Sequence, residues 1–100
     1  MSVIVIGRMQ ANPANVARLF EERKSDFELV AKEAQSAGAL HHRWGFGDGA
    51  ITIIDEWTDA ASFQKFFDSN ETIPQLMQAA EIPGPPEFEF YEAKAAPDEF

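Results

Sequence analysis

A chain of 100 residues, 45% hydrophobic and 25% charged, has the composition of one ordinary globular domain spanning residues 1–100. Seventeen acidic residues against eight basic ones give a formal charge of −9, which argues against nucleic-acid and anionic-membrane partners. The absence of cysteine excludes disulfides and thiolate chemistry, and because no run resembles a signal peptide or could span a bilayer, we expect a cytoplasmic protein.

The first third of the chain predicts a strand followed by one long helix. The run from Val3 to Met9 begins with four consecutive apolar residues, which is typical of a central strand covered on both faces. Asn12 is a good N-cap and Pro13 suits a first helical position. Apolar residues then recur at steps of three and four, which predicts a single helix that ends near Gly38.

The middle of the chain predicts a β-hairpin, because two β-rich runs are joined at Asp48-Gly49, a strong two-residue turn signal. Counting outward from this turn places His42 opposite Asp55 and Leu40 opposite Trp57. One face then carries Leu40, His42, Trp44, Phe46, Ile51, Ile53, Asp55 and Trp57. The other face carries His41, Arg43, Gly45, Thr52, Ile54 and Glu56. The first face is sharply more apolar, and we assign it to the helices.

The last part of the chain predicts a second helical segment and a final strand. Three phenylalanines form the apolar face of the helix: Phe63, Phe66 and Phe67. An interruption is expected from Asn70 to Pro74, because Pro74 disfavours helical geometry at Ile73. We therefore expect one broken helix, or a helix followed by a shorter one. After a stiff connector at residues 83–86, alternation over residues 88–93 predicts the last strand.

The predicted order β-α-β-β-α-β is that of a ferredoxin-like α+β fold with a four-stranded antiparallel sheet. In this topology the first and third strands lie in the middle, and these are the two most continuously apolar strands. Both helical segments cover one face of the sheet, which leaves Ile54 and part of the first strand uncovered on the other face. We therefore predict a homodimer formed by sheet-to-sheet packing.

His42 and Asp55 are the candidate catalytic residues. A histidine paired with a carboxylate is a common general-base arrangement, because the carboxylate orients the imidazole and stabilises its charged form. On the other face His41 lies opposite Glu56, so an alternative is that both pairs only satisfy polar groups at a sheet edge. Adjacent histidines on a strand point to opposite faces and cannot chelate together, and we expect no metal and no cofactor.

The aromatic residues of the hairpin and the second helix allow two interpretations. Trp44 and Trp57 share the apolar face with Phe63, Phe66 and Phe67, and aromatic residues at this density usually form a core. The functional alternative is a pocket between sheet and helices for a flat organic ligand. In that case Trp44, Trp57 and Phe63 shape the pocket and Phe67 forms its wall.

The chain resembles the dimeric α/β-barrel superfamily, and its antibiotic-biosynthesis-monooxygenase-like branch in particular. The resemblance rests on the order of the elements, on the acid-Trp pair Glu56-Trp57 that ends the third strand, and on the segment 59–67 that follows. It covers nearly the whole chain. It implies a dimer whose two sheets close a barrel, with a ligand pocket between each sheet and its helices.

Members of this superfamily include cofactor-free oxygenases of aromatic polyketides, haem-degrading enzymes and isomerases. The resemblance implies an important Asn late in the first strand and an important Trp at the end of the third; Trp57 matches the latter, whereas Gly7 and Arg8 occupy the region of the former. Haem degraders also carry a histidine on the second helix, where this chain has Phe67, which disfavours haem degradation.

These observations lead to one expected function and two alternatives. We expect a homodimer that binds a small, partly aromatic organic molecule between sheet and helices, with cofactor-free catalysis by His42 and Asp55. The first alternative is a cofactor-independent monooxygenase acting on a phenolic or polyketide-like substrate. The second is a non-catalytic dimeric module whose aromatic residues are core.

Overall fold

The computed structural model describes residues 1–100 and contains a four-stranded antiparallel sheet with helices against one face. In chain order the elements are β1 (Val3–Gln10), α1 (Pro13–Glu22), α2 (Lys24–Ala37), β2 (Ala39–Phe46), β3 (Ala50–Trp57), α3 (Ala60–Ser69), α4 (Thr72–Ala79) and β4 (Glu87–Glu92). The strand order β2-β3-β1-β4 confirms the predicted ferredoxin-like α+β fold, with β1 and β3 in the middle. None of the helices combines the length and apolar character needed to cross a membrane.

The N-terminal helical segment is two helices, and the prediction of a single helix was wrong. Asn12 and Pro13 begin α1 as expected, with the Asn12 Oδ1 accepting a hydrogen bond from the N–H of Ala14 at 3.0 Å. Arg23 leaves helical geometry (φ −122°, ψ 31°) and separates α1 from α2. A one-residue break does not interrupt the apolar period, so the sequence pattern gave no sign of it. Gly38 ends α2 at a φ of 125°, as predicted.

The second helical segment is two helices, α3 and α4, and the break between them at Asn70 and Glu71 lies within the predicted interruption. The Oδ1 of Asn70 accepts hydrogen bonds from the N–H groups of the first two residues of α4, at 3.0 and 2.9 Å. Pro74 lies in the first turn of α4, where its missing N–H would have no helical partner in any case. At the start of α3 the N–H of Ser62 donates to Asp59 at 2.7 Å, and this bond holds the pKa of the Asp59 carboxyl below its usual value.

The β-hairpin has the predicted register over most of its length, including the pairing of His42 with Asp55. Near the start of β2 a β-bulge shifts the pairing, so that Ala39 lies opposite Trp57. The expectation that Leu40 would lie there was wrong, because strict alternation assumes a ladder without an extra residue. The small side chain of Ala39 packs against the cluster that contains the Trp57 indole.

The core between sheet and helices is divided into two clusters of buried side chains. The larger cluster contains Met9, Ala11, Val16, Leu19, Ile51 and Ala80. The smaller cluster contains Val5, Trp57 and Phe63. Members of both clusters line a single cavity, so the helices cover the sheet without filling all the space above it.

The opposite face of the sheet exposes apolar side chains, as the topology predicted. Ile6 lies beside Ile54 across β1 and β3, and Ile4 lies beside Tyr91 across β1 and β4. Ile54 is 46% exposed and Tyr91 is half exposed. The Tyr91 hydroxyl donates a hydrogen bond to Glu89 at 2.5 Å, and this bond to a carboxylate raises the pKa of Tyr91. We call the surface formed by Ile4, Ile6, Ile54 and Tyr91 the open face.

Gly7 lies on β1, where side chains of the neighbouring strands β3 and β4 leave little space for a Cβ. A Cβ at this position would lie 2.7 Å from Phe88 Cε1 and 2.9 Å from Ile53 Cγ1. The Phe88 ring is itself held by two neighbouring phenylalanine rings, at centroid distances of 5.0 and 4.9 Å. We predict that Gly7→Ala lowers the free energy of unfolding by about 1–3 kcal/mol through overpacking, as measured by urea denaturation.

The control for this variant is Gly47→Ala, whose Cβ would meet nothing nearer than 3.7 Å. We expect this control to retain the stability of the unmodified protein more closely than Gly7→Ala does. Equal stabilities of the two variants would contradict the close packing of Phe88 on β1.

Candidate ligand-binding and acid–base site

A cavity of about 640 Å³ lies between the sheet and the helices. This volume is within the range of pockets that hold small organic molecules. Of the 30 residues that line the cavity, 23 are hydrophobic, so an occupant would contact mainly apolar side chains. The six residues selected from the sequence all line it: His42, Trp44, Asp55, Trp57, Phe63 and Phe67.

Aromatic rings of α1 and α2 form one wall of the cavity together with Trp44. The rings of Phe20 and Phe27 approach Trp44 edge-on, at centroid distances of 5.4 and 6.2 Å. The break at Arg23 separates the helices that carry these two rings. From the sequence, Trp44 was expected beside the phenylalanines of α3. Phe20 and Phe27 were not selected as site residues, although both belong to the apolar stripe of the first helical segment.

A second aromatic group surrounds Trp57. The Trp57 indole contacts the Phe63 ring edge-on at 5.4 Å, and the Phe67 ring stacks on Phe63 at 5.9 Å. Trp57 and Phe63 are fully buried, whereas Phe67 is half-buried. Edge-to-face and stacked contacts at these distances hold rings in defined orientations. The cavity therefore has ordered aromatic walls on both sides.

His42 and Asp55 form a hydrogen bond across β2 and β3, with 2.6 Å between His42 Nδ1 and Asp55 Oδ1. The carboxylate of Asp55 is only 6% exposed, whereas the side chain of His42 is 44% exposed. Because Nδ1 is engaged with Asp55 and Nε2 makes no hydrogen bond to the protein, Nε2 is the ring nitrogen available to a ligand. A buried carboxylate that orients a partly exposed imidazole can perform general acid–base chemistry.

The second oxygen of Asp55 also has a hydrogen-bond partner, which was not predicted from the sequence. The indole N–H of Trp57 donates to Asp55 Oδ2 at 3.1 Å. The two residues are two positions apart on β3, so their side chains lie on the same face of the sheet. This spacing of two residues is the feature of the sequence from which a contact between Asp55 and Trp57 could have been predicted. No buried side-chain nitrogen or oxygen of the chain lacks a partner.

The second histidine–acid pair of the hairpin does not form a hydrogen bond. His41 lies opposite Glu56 as predicted, but Glu56 accepts a hydrogen bond from the Ser2 hydroxyl at 2.5 Å instead. His41 forms neither an ion pair nor a hydrogen bond with that carboxylate. The two pairs are therefore not equivalent, and only the one at the cavity has acid–base geometry. No three His, Asp or Glu side chains converge as metal ligands would.

Comparisons with known proteins identify the class of fold. No protein-family profile matches the sequence, and no curated protein sequence is significantly similar to it. Among solved structures, SnoaB, a cofactor-independent oxygenase from Streptomyces nogalater, is 18% identical over 98% of each chain, with a TM-score of 0.62. An antibiotic biosynthesis monooxygenase is 18% identical over 93% of this chain and 99% of its own, with a TM-score of 0.64. A protein of unknown function from Nitrosomonas europaea, NE2512, is 24% identical over 95% of this chain and 91% of its own, with a TM-score of 0.65.

The chain thus has the fold of antibiotic biosynthesis monooxygenase-like proteins, as its sequence resemblance predicted. One such fold hosts many reactions, and function depends on the residues placed in the site. The function of this chain must therefore be argued from the cavity and from the groups that line it.

Asp55 is predicted to be required for stability as well as for the geometry of the site. Asp55→Ala removes the acceptor of two hydrogen bonds and leaves the buried indole N–H of Trp57 without a partner. We expect the free energy of unfolding to fall by about 1–3 kcal/mol, as measured by urea denaturation. As a control, Asp68→Ala removes an exposed carboxylate bonded only to Gln64 and should change stability by no more than about 0.5 kcal/mol. A loss no larger than that of the control would refute the prediction.

Proposed function

We propose that this protein binds a small, partly aromatic organic molecule in the cavity and that His42, oriented by Asp55, acts on it as a general base without a cofactor. The observation that carries this proposal is the 2.6 Å bond between His42 and Asp55 at the wall of an otherwise apolar cavity. Asp55 is the one buried charged residue of the chain. Burying a charge is costly unless it is paired, and Asp55 meets this condition through its hydrogen bonds with His42 and Trp57.

The cavity itself favours binding over a purely structural role for the aromatic residues. Protein interiors pack densely, and rings that served only as core would close on each other. Here the aromatic groups around Trp44 and Trp57 line a space of about 640 Å³. A flat ligand in this space would contact ring faces and edges, and a hydroxyl group on it would find Nε2 of His42 as acceptor.

We predict that His42 distinguishes a phenol from the corresponding hydrocarbon. The two probes are 1-naphthol and naphthalene, whose binding is measured by isothermal titration calorimetry. In His42→Ala the affinity for 1-naphthol should fall roughly 2- to 10-fold, the equivalent of one lost hydrogen bond, while the affinity for naphthalene should remain the same.

The matched control is Arg43→Ala, because Arg43 is adjacent to His42 on β2, lies opposite Ile54 on the other face of the sheet and does not line the cavity; it should leave both affinities unchanged. Failure of the unmodified protein to bind either probe would refute the proposed aromatic ligand. Equal losses for both probes in His42→Ala would remove His42 as a hydrogen-bonding partner of the ligand.

A second function, cofactor-independent oxygenation, is favoured by the likeness to SnoaB. The structure around β1 argues against it, since the Asn that the resemblance implied is absent. Gly7 is the residue of that region that faces the helices, and a side chain there would collide with Phe88 and Ile53. Oxygen uptake with an anthrone as substrate distinguishes the two functions, and its absence leaves the acid–base proposal in place.

We further infer that the protein is a homodimer whose two sheets pack through the open face. The apolar patch on this face is formed by Ile4, Ile6 and Ile54 on the two central strands and by Tyr91 on the edge strand β4. A second copy that covers this patch removes its apolar surface from water. Charged residues of both signs surround the patch, which allows ion pairs between copies: Arg8, Arg43, Glu56, Glu87 and Glu89.

Ile54→Lys should weaken dimerisation at least about tenfold, because it places a charge in the centre of the buried surface. Analytical ultracentrifugation measures the change. Leu29→Lys is the matched control, since Leu29 on α2 is 47% exposed and Ile54 46%, yet Leu29 lies away from the sheet. A monomeric unmodified protein, or equal effects of the two substitutions, would exclude this interface.

A further inference from the structure

We infer that Trp57 is a positioning residue, which fixes the Asp55 carboxylate through its indole N–H and thereby selects the tautomer of His42. The catalytic meaning of this inference rests on the proposed function. The geometry that it describes does not, because it concerns three side chains of the protein without ligand. It adds a second role to the one expected from the sequence, where Trp57 was selected as a ligand contact.

The Asp55 carboxylate is held at both of its oxygens by groups of different kinds. Oδ2 accepts from the Trp57 indole at 3.1 Å, and Oδ1 lies 2.6 Å from His42 Nδ1. An indole N–H can only donate, so Oδ2 must act as an acceptor. With the carboxylate almost completely buried, water has little access to compete for either oxygen.

The Trp57 indole is rigid enough to act as the fixed point of this arrangement. It is 1% exposed and packs against the rings of Phe63 and Phe66, both at centroid distances of 5.4 Å. Rotation of the indole would require both rings and the surrounding cluster to move. The direction of its N–H is therefore set by packing and not by the hydrogen bond alone.

The consequence for His42 follows from the number of protons on a neutral imidazole. A neutral ring has one N–H donor and one acceptor nitrogen. A carboxylate that accepts from Nδ1 leaves Nε2 unprotonated and available as the base. If the Asp55 carboxylate were free to rotate about its Cβ–Cγ bond, His42 would no longer be held in this tautomer. Trp57 prevents the rotation, and its own N–H is then unavailable to a ligand.

The test is ¹⁵N nuclear magnetic resonance of the histidine rings in the protein without ligand, at a pH where the imidazoles are neutral. The chain has only two histidines, and His41, which has no partner on its ring, serves as an internal reference; His41→Gln assigns the signals. We expect His42 to give the signature of a single tautomer protonated at Nδ1. In Trp57→Phe this signature should be lost, and His42 should show a mixture of tautomers like that of His41.

Trp44→Phe is the matched control, because Trp44 contacts the His42 ring at 5.6 Å but makes no hydrogen bond to Asp55. It should leave the signature of His42 unchanged. Should Trp57→Phe fail to fold, benzothienylalanine can replace Trp57 in the Trp44→Phe background, because its sulfur substitutes for the N–H in a ring of nearly the same shape.

An unaltered His42 signature in a folded variant that lacks the donor would overturn the inference. The inference would also be overturned if His42 of the unmodified protein were protonated at Nε2. The same holds if Trp44→Phe changed the His42 signature as much as Trp57→Phe does. None of these outcomes bears on whether the cavity binds 1-naphthol, so failure of the inference can be distinguished from failure of the proposed function.

Discussion

The pairing of His42 with Asp55 depends on one constraint, the register of the β-hairpin. The two-residue turn at Asp48-Gly49, where Gly49 has a φ of 68°, fixes which residues of β2 and β3 lie side by side. Since side chains alternate between faces, a slip of one residue would move Asp55 and Trp57 from the cavity to the open face. The charge would then be solvated and the indole exposed. A local turn therefore determines the chemistry of a site several residues away.

The sequence predicted those features that repeat along an element. Alternation in the hairpin placed His42 opposite Asp55, and the order of strands placed β1 and β3 in the centre. The sequence pattern did not predict features that depend on a single residue. The break at Arg23 and the bulge that brings Ala39 opposite Trp57 each change one position without disturbing the apolar pattern. Tertiary packing decides such departures, and a periodic pattern does not contain that information.

The aromatic residues show the same limit. Trp44 and Trp57 were grouped because they share a face of the hairpin, yet they belong to different clusters. Trp44 contacts the rings of α1 and α2, whereas Trp57 contacts those of α3. Which helix crosses above which end of a strand depends on helix direction, and composition does not determine that direction. Residues of both clusters line the cavity between sheet and helices, and its shape therefore depends on how the elements assemble.

Strand β3 links the cavity to the proposed dimer interface. Asp55 points to the cavity, while its neighbour Ile54 points to the open face, so the two surfaces share one backbone. A second copy packed on the open face would restrain β3 and β1, its hydrogen-bonded neighbour. The carboxylate that orients His42 would then be attached to a strand held from both sides. Dimerisation would in this way contribute to the precision of the site without adding a residue to it.

The position of His42 within the sheet suits the general-base role proposed for it. The resemblance placed the important polar residue on the central strand β1, but Gly7 there is covered by Phe88. His42 lies instead on β2, an edge strand, where its side chain is 44% exposed. A base that removes a proton must release it before the next turnover, and a ring that reaches both cavity and solvent can do so. A fully buried base on β1 would need a further group to carry the proton out. The proposed proton transfer therefore has its reactive group at the edge of the sheet, and not on a central strand.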